Sequence, residues 1–262
     1  NEFFPSDWQT AVSDYVVDLS NNSLIWNTAQ QTLQDNLNDY FSKNQGFLIV
    51  DASKEFTLTN AHAPLTESKI DANNLVAVFV NVDTHLTYQL ASHLSDQDDQ
   101  INRLFNINPN GTLILSGAEN SLVEISGFRI VSDSDMQGGA IYNQGNVYFG
   151  DHSLFKKNKI IKNGGGYSKG GAIYNTGIMA FGQNAQFIEN YLSDGSGGAI
   201  ANQSNMTFGD DAYFSKNQSF AGGAIHNAAN MIFSNQSQFI QNSASYGGAI
   251  ANDGQLVFAN NT

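Results

Sequence analysis

The sequence predicts an all-β protein, a right-handed parallel β-helix (β-solenoid) with a short helical N-terminal cap. Three observations lead to this fold class: a tetrapeptide that recurs five times, a hydrophobic period of two residues inside each repeat, and asparagine and glycine at fixed offsets between the apolar runs. We expect a helical cap over residues 1–45, irregular β-helix coils over 46–100 and regular coils over 101–262.

The predicted cap has two stripes of apolar residues at helical spacing, the first of them after the capping box Ser6-x-x-Gln9. The first stripe consists of Trp8, Ala11, Val12, Tyr15, Val16 and Leu19, and the second consists of Leu33, Leu37, Tyr40 and Phe41. A helix at this place would cover the unpaired sheet edge at the end of a solenoid. A separately folded binding domain is the alternative interpretation of residues 1–45.

The irregular coils are predicted from short β-rich runs that lack the repeat. These runs are Phe47–Asp51, Phe56–Thr59, Leu75–Val82 and Leu86–Leu90.

The regular coils carry the tetrapeptide Gly-Gly-Ala-Ile, with spacings of 32, 27, 25 and 25 residues between copies. It begins at Gly138, Gly170, Gly197, Gly222 and Gly247. The eleventh residue after each first glycine is one of Phe149, Phe181, Phe208, Phe233 and Phe258, and a second phenylalanine lies six residues further on at Phe155, Phe187, Phe214 and Phe239. The next second phenylalanine would fall beyond Thr262, so we expect the sequence to be truncated within a coil.

The period inside each repeat is two, because the residue two positions before the first phenylalanine is always apolar while the residue between them varies. Three short strands in about 25 residues form one coil of a parallel solenoid, and each coil pairs with the next at a spacing of about 4.8 Å. Right-handed winding is the default for parallel crossovers. Only the segment between Phe-x-x-Asn and the next Gly-Gly varies in length, so we expect insertions at one corner.

Asparagine recurs at two turn positions of the repeat. One set, which ends Gly-Gly-Ala-Ile-x-Asn, is Asn143, Asn175, Asn202, Asn227 and Asn252; the other, which ends Phe-x-x-Asn, is Asn158, Asn190, Asn217 and Asn242. Because stacked coils place like residues over one another, and an amide has both a donor and an acceptor, we predict two asparagine ladders beside columns of phenylalanine.

Composition excludes several classes of function. With 24 acidic and 11 basic residues the net charge is -13, which argues against phosphate-based binding of nucleic acid. The absence of cysteine excludes a disulfide framework, thiolate metal sites and cysteine catalysis, and is compatible with export. No apolar run approaches the roughly 18 residues that a membrane-spanning helix requires.

The paired Gly-Gly-Ala-Ile and Phe-x-x-Asn repeats, over about Ile101–Thr262, resemble those of the chlamydial polymorphic membrane proteins. Similar repeats occur in the passenger domains of other bacterial autotransporter adhesins. The resemblance implies a β-helix outside a Gram-negative cell, secreted or anchored to the outer membrane through a C-terminal region, that attaches to receptors or glycans on host cells or other bacteria. Self-association is a further expectation. The chlamydial proteins usually contain cysteine, and residues 1–100 match no pattern of that family.

An enzyme is the alternative class, since β-helix polysaccharide lyases and hydrolases use neighbouring carboxylates. The turn position two residues after the first phenylalanine is occupied by Asp151, Gln183, Asp210, Asn235 and Asn260. Its two acids are about two coils apart, so we predict a polar turn ladder and no catalysis. A purely structural stalk is a third possibility.

Neither metal nor cofactor binding has a strong sequence signal. The segment 95–100 offers closely spaced oxygen ligands that calcium would accept, but it lacks the glycine and terminal glutamate of a dedicated calcium loop, so a solvated acidic turn is favoured. The five histidines have no metal-ligand spacing, and we predict no metal site. His226 is predicted to point outward.

The candidate binding residues lie in and beside the longest variable corner. They are Lys156, Lys157, Lys159, Lys162, Tyr167 and Lys169, and they include five of the 11 basic residues. Such a patch could contact anionic glycans or cell surfaces, whereas a flexible loop with solvated lysines is the simpler interpretation. The outward tyrosines Tyr142, Tyr174, Tyr148 and Tyr213 could stack on sugars or belong to ordinary solenoid surface.

Overall fold

The computed structural model describes residues 100–117, 120–164 and 166–259, together with the backbone of six earlier strands. The strands before the first Gly-Gly-Ala-Ile are β1 (Val16–Asp18), β2 (Gly46–Val50), β3 (Glu55–Thr59), β4 (Ser68–Ile70), β5 (Leu75–Val80), β6 (His85–Gln89), β7 (Gln100–Asn102), β8 (Phe105–Ile107), β9 (Thr112–Gly117), β10 (Leu122–Ser126) and β11 (Arg129–Ser132).

The strands of the repeats follow in the same order in each coil. They are β12 (Ile141–Asn143), β13 (Asn146–Phe149), β14 (Ser153–Lys156), β15 (Lys159–Lys162), β16 (Ser168–Lys169), β17 (Ile173–Asn175), β18 (Ile178–Phe181), β19 (Gln186–Ile188), β20 (Tyr191–Leu192), β21 (Gly195–Ser196), β22 (Ile200–Asn202), β23 (Asn205–Phe208), β24 (Tyr213–Ser215), β25 (Ile225–Asn227), β26 (Asn230–Phe233), β27 (Gln238–Ile240), β28 (Ile250–Asn252) and β29 (Gln255–Phe258).

Three long parallel sheets run along the stack. Sheet A contains β1, β2, β5, β9, β13, β18, β23, β26 and β29; sheet B contains β3, β6, β10, β14, β19, β24 and β27; sheet C contains β4, β8, β12, β17, β22, β25 and β28. The chain passes through sheets C, A and B in turn, so neighbouring strands in a sheet come from successive coils. This stacking confirms the predicted parallel β-solenoid, while its right-handed winding stays a prediction.

Two shorter sheets were not predicted. Sheet D contains β7, β11, β15 and β20, and sheet E contains β16 and β21. Both lie between sheets B and C, in the segment whose length varies. Within sheet D, β7 pairs antiparallel to β11.

The register of the sheets places like residues over one another. Phe149 pairs with Phe181 in sheet A, and Phe181 pairs with Phe208. In sheet C, Asn175 pairs with Asn202 in the same way. Because side chains alternate between the two faces of a strand, this register keeps every inward residue of one coil above an inward residue of the next.

Two columns of phenylalanine fill the core between sheets A and B. The ring of Phe208 stacks on Phe181 with centroids 4.9 Å apart and on Phe233 at 4.6 Å, with interplanar angles of 3° and 8°. Phe214, in the neighbouring column, meets the ring of Phe208 edge to face, with centroids 5.6 Å apart. Each ring therefore has stacked contacts along the axis and edge contacts across it, which are the two favoured geometries of aromatic pairs.

The paired glycines form the turn that leads into sheet C. The first glycine of each pair has a positive φ, from 61° at Gly138 to 77° at Gly197, a region that favours glycine. A Cβ atom on the second glycine, Gly198, would overlap the backbone carbonyl of Gly223 in the next coil. The first glycine of each pair is therefore required for its backbone conformation. The second is required because the backbones of two successive coils approach closely there.

The predicted helical cap is unconfirmed, and one part of it is wrong. Val16–Asp18 form strand β1 and pair with Phe47–Ile49 of β2, whereas the sequence placed Val16 on a helical stripe. Valine has a stiff, β-branched side chain that suits a strand, and the edge of sheet A offers backbone partners to this segment. The other residues of the predicted stripes lie outside the described residues.

Replacing Phe208 by alanine should lower the free energy of unfolding by about 3–5 kcal/mol, because it leaves a cavity within the stacked column. Phe208 is 2% exposed, whereas its neighbour Thr207 points outward. Thr207→Ala is the matched control in chemical denaturation and should have a much smaller effect. A loss below about 1 kcal/mol for Phe208→Ala would contradict the assignment of this residue to the core.

Candidate functional site: the asparagine ladders and the variable corner

The first asparagine ladder runs along the end of sheet C. Nδ2 of Asn175 donates a hydrogen bond to Oδ1 of Asn202 at 2.8 Å, and Nδ2 of Asn202 donates to Oδ1 of Asn227 at 2.8 Å. Asn202 also donates to the backbone carbonyl of Ser204 at 2.7 Å. The side chains of all three asparagines are buried, so these bonds satisfy polar groups that water cannot reach.

The second ladder joins three successive coils at each step. Oδ1 of Asn190 accepts hydrogen bonds from the backbone N–H of Asn158 at 3.0 Å and from its Nδ2 at 3.1 Å. Nδ2 of Asn190 donates to the carbonyl of Phe155 and to Oδ1 of Asn217, both at 3.0 Å. Both predicted ladders are therefore present, and their role in the described residues is to hold the turns of adjacent coils in register.

Asn202→Ala and Asn217→Ala should each reduce the free energy of unfolding by about 1–3 kcal/mol, because each leaves buried amide partners unpaired. Gln203, which the sequence also places outward, is a poor control since it accepts a hydrogen bond from the Tyr174 hydroxyl at 2.6 Å. The exposed strand residue Gln238 serves better, and Gln238→Ala should be nearly silent in the same denaturation experiment. Equal losses for all three variants would contradict the ladder assignment.

The variable corner consists of residues 129–137, 159–169, 191–196, 218–221 and 243–246, of which residue 165 is not described. We predicted its longest segment as a loop, but Lys159–Lys162 and Ser168–Lys169 are strands of sheets D and E. They form strands because Ile160 packs with Ile130 and Leu192 in a small second core beneath the corner. Much of this segment is therefore ordered by its own packing.

The lysines of the predicted patch fall into two groups. Lys162 pairs with Asp135, and Lys169 lies over the ring of Tyr174 with Nζ 5.5 Å from the centroid. Lys157 is exposed, and its Nζ lies 3.8 Å from Oε2 of Glu189. An exposed ion pair of this kind contributes little to stability. Lys162 and Lys169 are thus held by intramolecular partners, whereas the exposed Lys157 can reach a ligand.

Lys156 and Lys159 are partly exposed and lie on either side of the turn that contains Lys157. All three residues are at least partly exposed, and they lie at the boundary between sheets B and D. We call Lys156, Lys157 and Lys159 the lysine turn.

Asp135 organises the longest segment of the corner, a role that was not predicted from the sequence. Its Oδ1 accepts hydrogen bonds from Nζ of Lys162 and, at 2.7 Å, from the backbone N–H of Tyr167. The hydrogen bond from Lys162, with that from Tyr167, holds the pKa of this carboxyl below its usual range. The signal that could have found it is its position in the corner of the preceding coil, one coil before Lys162.

The sequence left two interpretations of Tyr142 and Tyr174 open, stacking on sugars or ordinary solenoid surface, and in the structure the two rings pair with each other. They stack on each other with centroids 5.3 Å apart, and Tyr174 is only 7% exposed. Burial, with a smaller contribution from Tyr142, raises the pKa of the Tyr174 hydroxyl. His226, also predicted to point outward, is partly covered and lies 3.1 Å from Asp253. The surface of sheet C is therefore closed at these positions.

Three exposed aromatic side chains lie on the variable corner, within three residues before a Gly-Gly turn. Tyr167 and Phe220 are each 43% exposed, and Tyr246 is 63% exposed. Phe220 and Tyr246 meet edge to face with centroids 5.2 Å apart. Neither Phe220 nor Tyr246 was predicted from the sequence; the signal that could have found them is an aromatic residue in the part of the repeat that varies in length.

The acidic turn positions act as backbone acceptors. Oδ1 of Asp151 accepts from the backbone N–H of Gln183 at 2.8 Å, and Oδ1 of Asp210 accepts from that of Asn235 at 2.9 Å. These contacts fit the predicted polar turn ladder. Among the described residues, no three His, Cys, Asp or Glu side chains come together as a metal site would require. Most of the acidic segment 95–100 lies outside the described residues.

Comparison of the chain with known protein families, characterised proteins and solved structures gave no match. The described residues include no helix with the length and apolarity needed to cross a bilayer.

Asp135→Ala should speed hydrogen exchange of the Tyr167 amide, because the carboxylate that accepts its hydrogen bond is removed. Asp133→Ala, which changes an exposed acid two residues away, is the matched control and should leave that exchange unchanged. Since the folded pKa of Asp135 is lowered, the contact should be complete above the ordinary carboxyl pKa of about 4 and be lost only as the pH falls through the lowered value. Unchanged exchange in Asp135→Ala would contradict this role.

Proposed function

We propose that this chain is part of a bacterial cell-surface adhesin, a right-handed β-helix passenger that attaches to host cells, other bacteria or their glycans. The observation that carries the proposal is the confinement of length variation to one corner. Sheets A, B and C keep the same register through every repeat, whereas the corner between sheets B and C holds segments of 4 to 11 residues. A scaffold of constant shape with one variable edge is the arrangement expected of a binding surface.

The chemistry of this corner supports an anionic ligand such as a sulfated or carboxylated glycan. The lysine turn presents three cationic side chains within four residues, and Tyr167 is exposed on the same corner segment as Lys159. Ammonium groups attract anionic glycans, and an exposed aromatic ring can pack on the apolar face of a sugar.

The net charge of -13 opposes the approach of any anionic surface, so the two electrostatic effects must be compared. At physiological ionic strength the Debye length is about 8 Å, so exposed acidic groups farther than this from the corner are largely screened from a ligand there. Contacts with the lysine turn are made within that length. Local attraction should therefore prevail at about 0.15 M salt and weaken as the salt concentration rises further.

The test is binding of a heparin oligosaccharide, with and without substitution of the lysine turn. Lys156→Gln, Lys157→Gln and Lys159→Gln combined should weaken binding at least tenfold at 0.15 M salt. Among single variants, Lys157→Gln is the test and Lys216→Gln is its matched control. Lys216 is also exposed and has the same positive φ at the equivalent turn two coils further on. Only the first should weaken binding.

Attachment to cultured cells measured with the same variants separates the site from the class of function. Loss of attachment in the triple variant supports the proposal at both levels. Attachment that persists in the triple variant would move the adhesive site elsewhere in the chain and contradict the role of the lysine turn. Turnover of an acidic polysaccharide would contradict the proposal as a whole and favour the enzyme alternative.

A further inference from the structure

The turn that leaves sheet B keeps one backbone conformation from coil to coil, so equivalent side chains of this turn form a column along the solenoid. One position of the turn is occupied by Gly127, Lys157, Glu189, Lys216 and Gln241, whose φ angles lie between 55° and 73°. The backbone N–H at this position donates to a carbonyl of the following coil, at 3.0 Å from Lys157, 2.9 Å from Glu189 and 3.0 Å from Lys216. We call these five residues the turn column, and its successive members are about 4.8 Å apart.

The charge of the turn column changes sign twice along its length. Lys157, Glu189 and Lys216 place a cation, an anion and a cation in successive coils, whereas Gly127 and Gln241 at the two ends are uncharged. Nζ of Lys157 lies 3.8 Å from Oε2 of Glu189, and the two side chains are 64% and 37% exposed. The carboxylate of Glu189 therefore stands at the surface directly beside the lysine turn.

A carboxylate at this place acts on an anionic ligand in two ways. It competes for the ammonium group of Lys157, and it repels the negative charge of the ligand. Lys216 lies about 9.6 Å from Lys157 along the turn column, which is twice the coil spacing, and Glu189 lies between them. An anionic chain that bridged the two lysines would pass the carboxylate well within the Debye length of about 8 Å, where charges are poorly screened.

The preceding coil is open at the equivalent turn, because Gly127 has no side chain. The strand of sheet B that leads into that turn, β10, carries Glu124. Oε2 of Glu124 lies 3.4 Å from Nε2 of His85 on β6, which borders β10 on the side away from β14. The acid of the preceding coil is thus directed away from the lysine turn, while the acid of the following coil is directed toward it.

We propose that Glu189 is a specificity-determining residue, which ends the anionic-glycan site at the lysine turn and excludes Lys216 from it. The inference rests on the proposed function, because it concerns the same ligand and the same lysines. A sulfated or carboxylated chain bound at the lysine turn then continues over Gly127 toward the preceding coil, and not over Glu189 toward Lys216. One carboxylate thus sets both the end of the site and the direction in which the ligand leaves it.

The experiment is binding of a heparin oligosaccharide to the full chain and its variants at about 0.15 M salt. Glu189→Gln should strengthen binding about threefold or more, because it removes a carboxylate from beside the ligand and releases Lys157. Lys216→Gln should be silent in the native chain but should weaken binding about twofold or more when it is combined with Glu189→Gln. This failure of additivity is the result specific to the proposal, since it appears only if Glu189 keeps the ligand from Lys216.

Asp211→Asn is the matched control for Glu189→Gln, because it also removes one negative charge from a turn residue of positive φ. Asp211 lies at the other end of β24, five residues before Lys216, which is about 16 Å in an extended chain and beyond the Debye length. It should change heparin affinity less than about twofold. Glutamine already occupies the turn column at Gln241 with a φ of 56°, so thermal unfolding of Glu189→Gln should match that of the native chain.

A gain of affinity in Glu189→Gln, together with a new effect of Lys216→Gln in that background, supports the proposal. Equal affinity of the native chain and Glu189→Gln, while the triple variant of the lysine turn still loses binding, would overturn it and leave the proposed function standing. A gain in which Lys216→Gln stays silent, or an equal gain in Asp211→Asn, would overturn the exclusion of Lys216. Absence of heparin binding in the native chain and in Glu189→Gln would overturn the proposed site together with this inference.

Discussion

The structure depends on in-register hydrogen bonding between successive coils. Each strand of sheets A, B and C pairs with the strand one repeat away, so a residue type at one position is forced to lie on the same type in the next coil. This constraint selects residues that pack well on themselves. Phenylalanine stacks on phenylalanine, asparagine donates to asparagine, and glycine lets the backbones of two coils approach at the Gly-Gly turn.

The same constraint explains why most of the coil is constant from repeat to repeat while one corner varies in length. Lengthening a strand in sheet A, B or C would shift the register of every residue after it, whereas the corner between sheets B and C can absorb extra residues. Ile160 and its neighbours give the longest segment a small core of its own, and the bonds from Lys162 and Tyr167 to Asp135 tie it to the preceding coil. A variable edge is thus also a structured one.

The repeat explains why so much of the fold was predictable from sequence. An inward position such as Phe208 has equivalents in every coil, and five observations of one position identify its environment far better than a single occurrence can. The corner had no such support. Lys162 recurs nowhere at its position, and its partner Asp135 lies 27 residues away in a segment of different length. The prediction of a helical Val16 was wrong for a related reason, because pairing with a strand about 30 residues away in sequence decided its conformation.

The direction of the asparagine ladders has a consequence for the chemical ageing of the protein. In the first ladder each Nδ2 donates to Oδ1 of the asparagine in the coil that follows, from Asn143 through Asn227, so no inner amide of this ladder can reverse without placing two donors or two acceptors together. Deamidation of Asn202 would put a carboxylate oxygen against Oδ1 of Asn227. That carboxyl could keep its place only by holding a proton, so one deamidated residue would make the cohesion of two neighbouring coils depend on acidity.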